Sequence, residues 1–248
     1  MADFDPTTVK LGKEPVKTDV RTLLLARYVD KSVLPEPPAS VDLGDRVTDW
    51  PMYANDRVGD CTCAAAGHMI EAWTAEARGE AVEVSEADVL GAYEQVKVPD
   101  GDGAVELDVL NYWRSTGIGG HQVAAFARVP VYDHELVKTG TAVFGGAYIG
   151  VALPVSAQRQ DVWDWAGDLS GPNAPRSWGG HAVDVVAYDP DTVTVVTWGS
   201  LKKMTWDFWD RYCEEAYCIV SQDFLENGKT PDGLDFDGLI KDLELVTA

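Results

Sequence analysis

Residues 55–71 read NDRVGDCTCAAAGHMIE, and this stretch decides the fold. Small and apolar residues recur in it with a helical period, which predicts a helix from about Asp60 to Gly79. Cys61 lies at the start of that helix, where free backbone N–H groups and the helix dipole lower the pKa of a thiol. The same N–H groups can hold an oxyanion. Cys61 is therefore a candidate nucleophile, and a buried structural thiol is the alternative.

Downstream of this helix the pattern predicts two more helices and then strands. Ser85 opens a capping-box-like start for a helix through Gln95, and residues 105–117 predict a third helix. Runs rich in Val and Tyr predict strands over residues 123–132, 142–155, 181–189 and 192–199, with a hairpin turn near 188–192, and residues 204–221 predict a helix followed by a strand. The order predicts an α+β fold, with a helical half packed on an antiparallel sheet or barrel half.

The two ends of the chain differ from its middle. Residues 1–45 are rich in Pro and charge and predict an extended arm or pro-segment-like lead, with a short helix at Arg21–Tyr28. Residues 46–221 carry the helical and strand patterns and form the expected main domain. Residues 222–248 are acidic and predict a solvated surface tail.

Composition excludes two classes of partner. The 248 residues include 20 Lys and Arg against 41 Asp and Glu, a formal net charge of −21. Nucleic-acid binding needs clustered cations, and an anionic membrane surface would repel this charge. The apolar stretch over residues 143–155 is broken by Gly and Pro and is too short to span a bilayer. The polar N-terminus has no apolar signal region, so we expect a cytoplasmic protein unless it is assembled into a larger particle.

One histidine is well placed to act as a base. His181 opens an apolar strand after a Gly pair, although a hydrogen-bonded core histidine is the alternative. His68 lies two helical turns after Cys61, roughly 10 Å along the axis, which is too far for a direct pair. His121 and His134 lie in loop-like surroundings without a motif.

The four cysteines offer a second kind of site. Cys61 and Cys63, with Cys213 and Cys218, could form a zinc site, but Cys-x-Cys and Cys-x4-Cys depart from the usual Cys-x2-Cys spacing. We therefore predict neither a metal nor a cofactor. A disulfide from Cys63 to Cys213 or Cys218 stays open.

The segment around Cys61 resembles the active-site helix of papain-like cysteine peptidases. In that family a Gln precedes the nucleophile by six residues and a Glu follows by about ten. Here those positions hold Asn55 and Glu71. Three further matches follow in the same order: Val84–Leu90 is similar to the family's L-S-E-Q-x-L helix start, Gly180–Val183 to its H-A-V strand and Val196–Gly199 to its N-S-W-G motif.

The resemblance implies roles for individual residues. Cys61 is the implied nucleophile and His181 the implied base, and Asn55 with the Cys61 N–H forms the implied oxyanion hole. The family's orienting Asn falls on Val196. Thr197 is the neighbouring candidate, although strand alternation predicts that it points to the opposite face. The implied chemistry is attack on an amide or ester carbonyl by a peptidase, amidase or acyl transferase, with a peptide or peptidoglycan-like substrate.

Tryptophans surround the predicted base. Trp163, Trp165 and Trp178 belong to the stretch that precedes His181, and they either form a substrate wall or anchor a long loop. The resemblance places Trp178, Trp198 and Gly180 at the substrate.

A second function stays open. Three positions depart from the pattern of the active family. Val196 replaces the orienting Asn, Asn55 is one methylene shorter than the family's Gln, and Thr62 replaces the aromatic residue that follows the nucleophile. An inactive papain-fold protein with a structural or interaction role is therefore the alternative. The sequence style also resembles papain-fold proteins of actinobacterial phages and prophages, which implies a capsid or tail component.

Overall fold

The computed structural model describes residues 5–30, 32, 36–224, 235, 238 and 241–242. The helices are α1 (Cys61–Arg78), α2 (Glu86–Val96), α3 (Glu106–Ser115), α4 (His134–Phe144) and α5 (Trp206–Tyr212). The strands are β1 (Leu23–Leu24), β2 (Val41–Asp42), β3 (Val123–Val129), β4 (Ala147–Leu153), β5 (Val162–Trp163), β6 (Gly179–Tyr188), β7 (Thr192–Thr197), β8 (Ser200–Thr205) and β9 (Cys213–Ser221). The predicted α+β class is confirmed.

The helical half consists of α1, α2 and α3 around one apolar core. The predicted bounds of α1 are confirmed, because the helix begins at Cys61 and ends where Gly79 takes a left-handed φ of 76°. The Ser85 side chain accepts from the backbone N–H of Asp88, so the predicted cap of α2 is also confirmed. Helix α1 is buried from its first residue to Ala75, since it packs against α2 and α3 on one side and β6 on the other.

The sheet half is one mixed sheet in the order β1-β3-β9-β4-β6-β7-β8-β5, with β2 added to β6. The β1/β3 and β5/β8 pairs are parallel and the others are antiparallel. The predicted hairpin is the β6–β7 turn, where the Asp189 carboxylate accepts from the N–H groups of Asp191 and Thr192. This sheet carries His181 on β6 and Thr197 at the end of β7.

Two sequence-based predictions of secondary structure are wrong. His134 does not lie in a loop but begins α4, because Asp133 caps that helix by accepting from Leu136 N–H. The predicted helix at Arg21–Tyr28 is instead strand β1 followed by a 3-10 turn at Leu25–Arg27. Pairing of β1 with β3 overrides the local helical preference.

The N-terminal residues pack on the domain over much of their described length. Val9, Leu23 and Leu25 are buried in the core of the sheet half. Most of the acidic tail over residues 222–248 lies outside the described residues, so its predicted exposure stays a prediction. Among the described residues, no helix has the length and hydrophobicity that crossing a membrane requires.

Candidate active site

Cys61 lies where the helical half, the sheet half and the N-terminal residues meet. Its side chain is buried, and its Sγ accepts from the backbone N–H of Ala182 at 3.4 Å. The backbone N–H of Gly12 faces the same sulfur and acts to lower the pKa of the thiol. The thiol is therefore next in space to the residue that follows His181, as the predicted Cys–His arrangement requires.

His181 is held by Thr197. Its Nε2 lies 2.6 Å from the Thr197 Oγ1, and its ring stacks on the Trp198 indole with centroids 4.4 Å apart and planes 13° from parallel. The other ring nitrogen, Nδ1, is buried and has no hydrogen-bond partner among the described residues. One nitrogen of the ring is fixed, and the other is open for a proton.

The prediction that Thr197 points away from His181 is wrong, and the strand register gives the reason. Asp184 pairs with Val196 across β6 and β7, so these two side chains share one face of the sheet. Alternation then puts His181 and Thr197 together on the other face. Asp184 lies on the face toward α1, where its Oδ1 is 3.9 Å from His68 Nδ1, so it does not orient His181.

Burial disfavours the charged forms of both Cys61 and His181. Burial raises the pKa of the Cys61 thiol to about 12, although the two N–H donors act in the opposite direction. Burial also lowers the pKa of His181 to about 3, and the nearby His68 adds to this effect. In this buried setting, desolvation outweighs the lowering of the thiol pKa that was expected at a helix N-terminus.

Asn55, the predicted oxyanion residue, is turned toward its own loop. Its Nδ2 lies 3.2 Å from Asp60 Oδ1 and 3.4 Å from the Val58 carbonyl oxygen. Asp60 is fully buried, and burial raises the pKa of its carboxyl to about 7. The Asn55 donors are thus engaged beside Cys61.

The cleft segment (residues 10–14) runs between the two halves. The N–H of Lys13 donates to the Gly180 carbonyl at 3.0 Å, and Ala104 bonds to the carbonyl of Gly12 and the N–H of Glu14 at 2.8 and 3.0 Å. These bonds form a parallel bridge between Lys13 and Ala104. The segment covers Cys61 in the way that an extended peptide covers a binding groove.

The predicted substrate residues divide into two groups. Gly180 faces the cleft segment closely, since a Cβ there would lie 2.2 Å from the Lys13 carbonyl oxygen. Trp178 and Trp198 contact one another with their ring planes tilted by 30°, and they line an open groove of about 310 Å³ next to Thr197. Trp163 is 1% exposed and packs on Trp198, so it serves chiefly as an anchor for the loop.

The four cysteines do not form a disulfide or a metal site. Cys61, Cys63, Cys213 and Cys218 are all buried free thiols. No group of three or more His, Cys, Asp or Glu side chains within the described part of the chain is arranged to hold a metal ion.

Sequence reasoning missed the residues that cover the site. Gly12 and Lys13 are remote from Cys61 along the chain, and no local pattern indicates where they dock. The glycines at positions 12 and 59 were the available sequence signal for this docking. In the structure, a Cβ on Gly12 would lie 1.7 Å from the Gly59 carbonyl oxygen. Two backbones that approach so closely require glycine.

Comparisons with known proteins give structural matches only. No protein-family model and no curated protein sequence matches the chain. Xylellain, a cysteine protease from Xylella fastidiosa, matches at a TM-score of 0.65 and 17% identity over 86% of this chain and 96% of that one. The Carica candamarcensis cysteine protease CMS1MS2 in complex with E-64 matches at 0.55 and 17%, over 74% and 98% of the two chains.

A third solved structure agrees with these two. Digestive procathepsin L 3 of Tenebrio molitor larval midgut matches at a TM-score of 0.61 and 14% identity, over 87% of this chain and 77% of that one. Xylellain and CMS1MS2 are cysteine proteases by their descriptions, and all three matches cover most of this chain. The chain therefore has the papain-like α+β fold.

Proposed function

We propose that this chain is a papain-like cysteine hydrolase that uses Cys61 as nucleophile and His181 as base. One observation carries the proposal. Cys61 Sγ contacts the backbone next to His181, while Thr197 fixes Nε2 of that ring and leaves Nδ1 open. A nucleophile, a base and an orienting group are the three parts that acyl transfer needs.

The proposed reaction follows from these positions. His181 Nδ1 takes the thiol proton as Cys61 Sγ bonds to the carbonyl carbon of an amide or ester. The amine or alcohol then leaves with that proton, and an acyl-enzyme remains. Water attacks the acyl carbon with His181 as base and releases the acid and the free thiol. The N–H of Cys61, which has no partner within α1, is placed to stabilise the oxyanion.

The described structure corresponds to a resting form in this proposal. The cleft segment lies against Cys61, and burial favours the uncharged forms of both Cys61 and His181. A substrate must displace residues 10–14 or arrive after their removal. Peptides and peptidoglycan-like amides are the proposed substrates, because the segment shows that an extended backbone fits the groove.

A second candidate is an inactive interaction module. The filled cleft and the engagement of Asn55 with Asp60 favour it, since both hold the site away from a reactive state. A capsid or tail component of a phage particle is one form of this candidate. It requires only exposed contact surfaces, and Cys61 would then be an inert buried thiol.

Alkylation of the full chain separates the two candidates. Iodoacetamide labelling of Cys61 is followed against pH by mass spectrometry, with buried Cys63 as the internal control. A hydrolase predicts slow labelling of the intact protein and rapid labelling near pH 6 once the cleft segment is displaced, with the rapid phase lost in His181→Ala. Labelling that rises only near pH 8.5, regardless of His181, supports the inactive module.

A further inference from the structure

A pocket in the sheet half is filled by the side chain of Lys13. This side chain is fully buried, and its Nζ lies 2.7 Å from Glu215 Oε1 and 3.2 Å from Glu214 Oε2. Gly150 forms one wall, because a Cβ there would lie 1.9 Å from the Lys13 Cε. The pocket is thus shaped to take a long straight side chain.

The pocket contains more carboxyl groups than the Lys13 ammonium contacts. Glu106 is fully buried beside the Lys13 ammonium, and neither of its carboxyl oxygens has a hydrogen-bond partner among the described residues. Glu215 is held by a 2.8 Å bond from the Tyr217 hydroxyl. Arg176 pairs with Glu214, whereas the Lys13 ammonium contacts Glu215 and lies beside Glu106. Buried carboxylates without a cation are costly.

The pocket opens next to the proposed nucleophile. Lys13 enters it from the position where its N–H donates to the Gly180 carbonyl, one residue before His181, and the preceding Gly12 faces Cys61 Sγ. The backbone contacts of the cleft segment do not depend on its side chains. A substrate peptide in the same groove would therefore present one of its own side chains to the pocket.

We infer that the pocket filled by Lys13 is a specificity pocket for a lysine or arginine side chain of an extended peptide substrate, with Glu106 and Glu215 as the residues that select it. This inference rests on the proposed hydrolase function. An alkylammonium group restores the charge balance that is lost when Lys13 leaves. A guanidinium group adds donors for the two unused oxygens of Glu106.

Chemical rescue tests the pocket without any need for catalysis. Lys13→Ala in the full chain removes the atoms Cγ to Nζ, which correspond to n-propylammonium. We expect the melting temperature of this variant to rise by about 3–6 °C when the amine is present at ten times its Kd. Equal concentrations of n-propanol and sodium chloride are the comparisons. An equal response to n-propanol, or no response to the amine, overturns the inference.

A matched variant controls for general effects on the N-terminal residues. Lys10 forms an exposed ion pair with Asp102 at 2.6 Å, three residues before Lys13. Lys10→Ala should show no rescue by the amine. If Lys13→Ala does not fold, Glu215→Gln in the otherwise unchanged chain should speed amide exchange over residues 11–14 by tenfold or more, whereas Asp102→Asn should not. Unchanged exchange in Glu215→Gln overturns the inference.

Cleavage of a positional peptide library by Lys13→Ala separates this inference from the proposed function. We expect one position to prefer Lys or Arg over Leu or Met by tenfold or more, and Glu106→Gln with Glu215→Gln to remove the preference. Cleavage with an apolar preference overturns the pocket but leaves the hydrolase. Rescue by the amine without cleavage of any peptide supports the pocket and contradicts the hydrolase.

Discussion

Replacement of Thr197 by valine tests whether this hydroxyl holds His181. Valine keeps the size and branching of threonine, and it therefore keeps the strand preference at the end of β7. It removes the partner 2.6 Å from His181 Nε2, at a site where both side chains are buried. An unpaired buried polar nitrogen costs about 1–3 kcal/mol. In a chain of this size we expect the melting temperature to fall by about 2–12 °C.

The matched control is Thr197→Ser, which keeps the hydroxyl and loses one methyl group worth about 0.8 kcal/mol. Nitrogen-15 NMR of the imidazole gives a second readout. With the proton on Nε2, the ring donates to Thr197 and leaves the Nδ1 lone pair open for the thiol proton, and we expect this tautomer in the wild type. In Thr197→Val the tautomer preference should weaken.

If the chain is an active hydrolase, the same loss of positioning corresponds to about 5- to 150-fold in kcat/KM. The reasoning is refuted if valine and serine at position 197 give the same melting temperature and the same imidazole spectrum. That result would mean that Trp198 stacking alone holds the ring.

Two further predictions concern the groups around Cys61. Gly12→Ala places a Cβ 1.7 Å from the Gly59 carbonyl oxygen, so it should dislodge the cleft segment and speed Cys61 alkylation by tenfold or more. Gly91→Ala, in an open position of α2, is the control and should leave the rate unchanged. Burial raises the pKa of Asp60 from 3.8 to about 7. Between these two values the folded state keeps a proton that the unfolded state releases. The contribution of Asp60 to the free energy of unfolding therefore falls as the pH rises from about 4 to about 7. Urea denaturation of Asp60→Asn across that range should lack this fall; an unchanged pH profile would contradict the assignment.

Local signals in the sequence located the two elements that carry Cys61 and His181. A run of small apolar residues that ends at Gly79 fixes α1 and its first residue, Cys61. A Gly pair followed by an apolar run fixes β6 and places His181 near its start. Both signals depend on periodicity and on glycine conformation, which a single sequence shows directly.

The partner of His181 could not be predicted from motif alignment alone. Alignment places the orienting position on Val196, but the pairing of Val196 with Asp184 decides which side chain meets the ring. Strand register depends on contacts between distant parts of the chain. The docking of Lys13 among glutamates could not be predicted for the same reason, because those glutamates lie about 90 and 200 positions away along the chain.

The cleft segment couples access to reactivity at this site. A thiolate–imidazolium pair needs a histidine pKa above that of the thiol, whereas burial here moves the two pKa values in opposite directions, to about 3 for His181 and about 12 for Cys61. If residues 10–14 move away, solvent can reach Cys61, and the burial that is the main cause of both shifts decreases. Displacement of the segment also removes Lys13 from Glu215, and a buried carboxylate without its cation costs free energy. A substrate that supplies its own cation to the pocket lowers this cost, so one binding event would both open the cleft and activate the nucleophile.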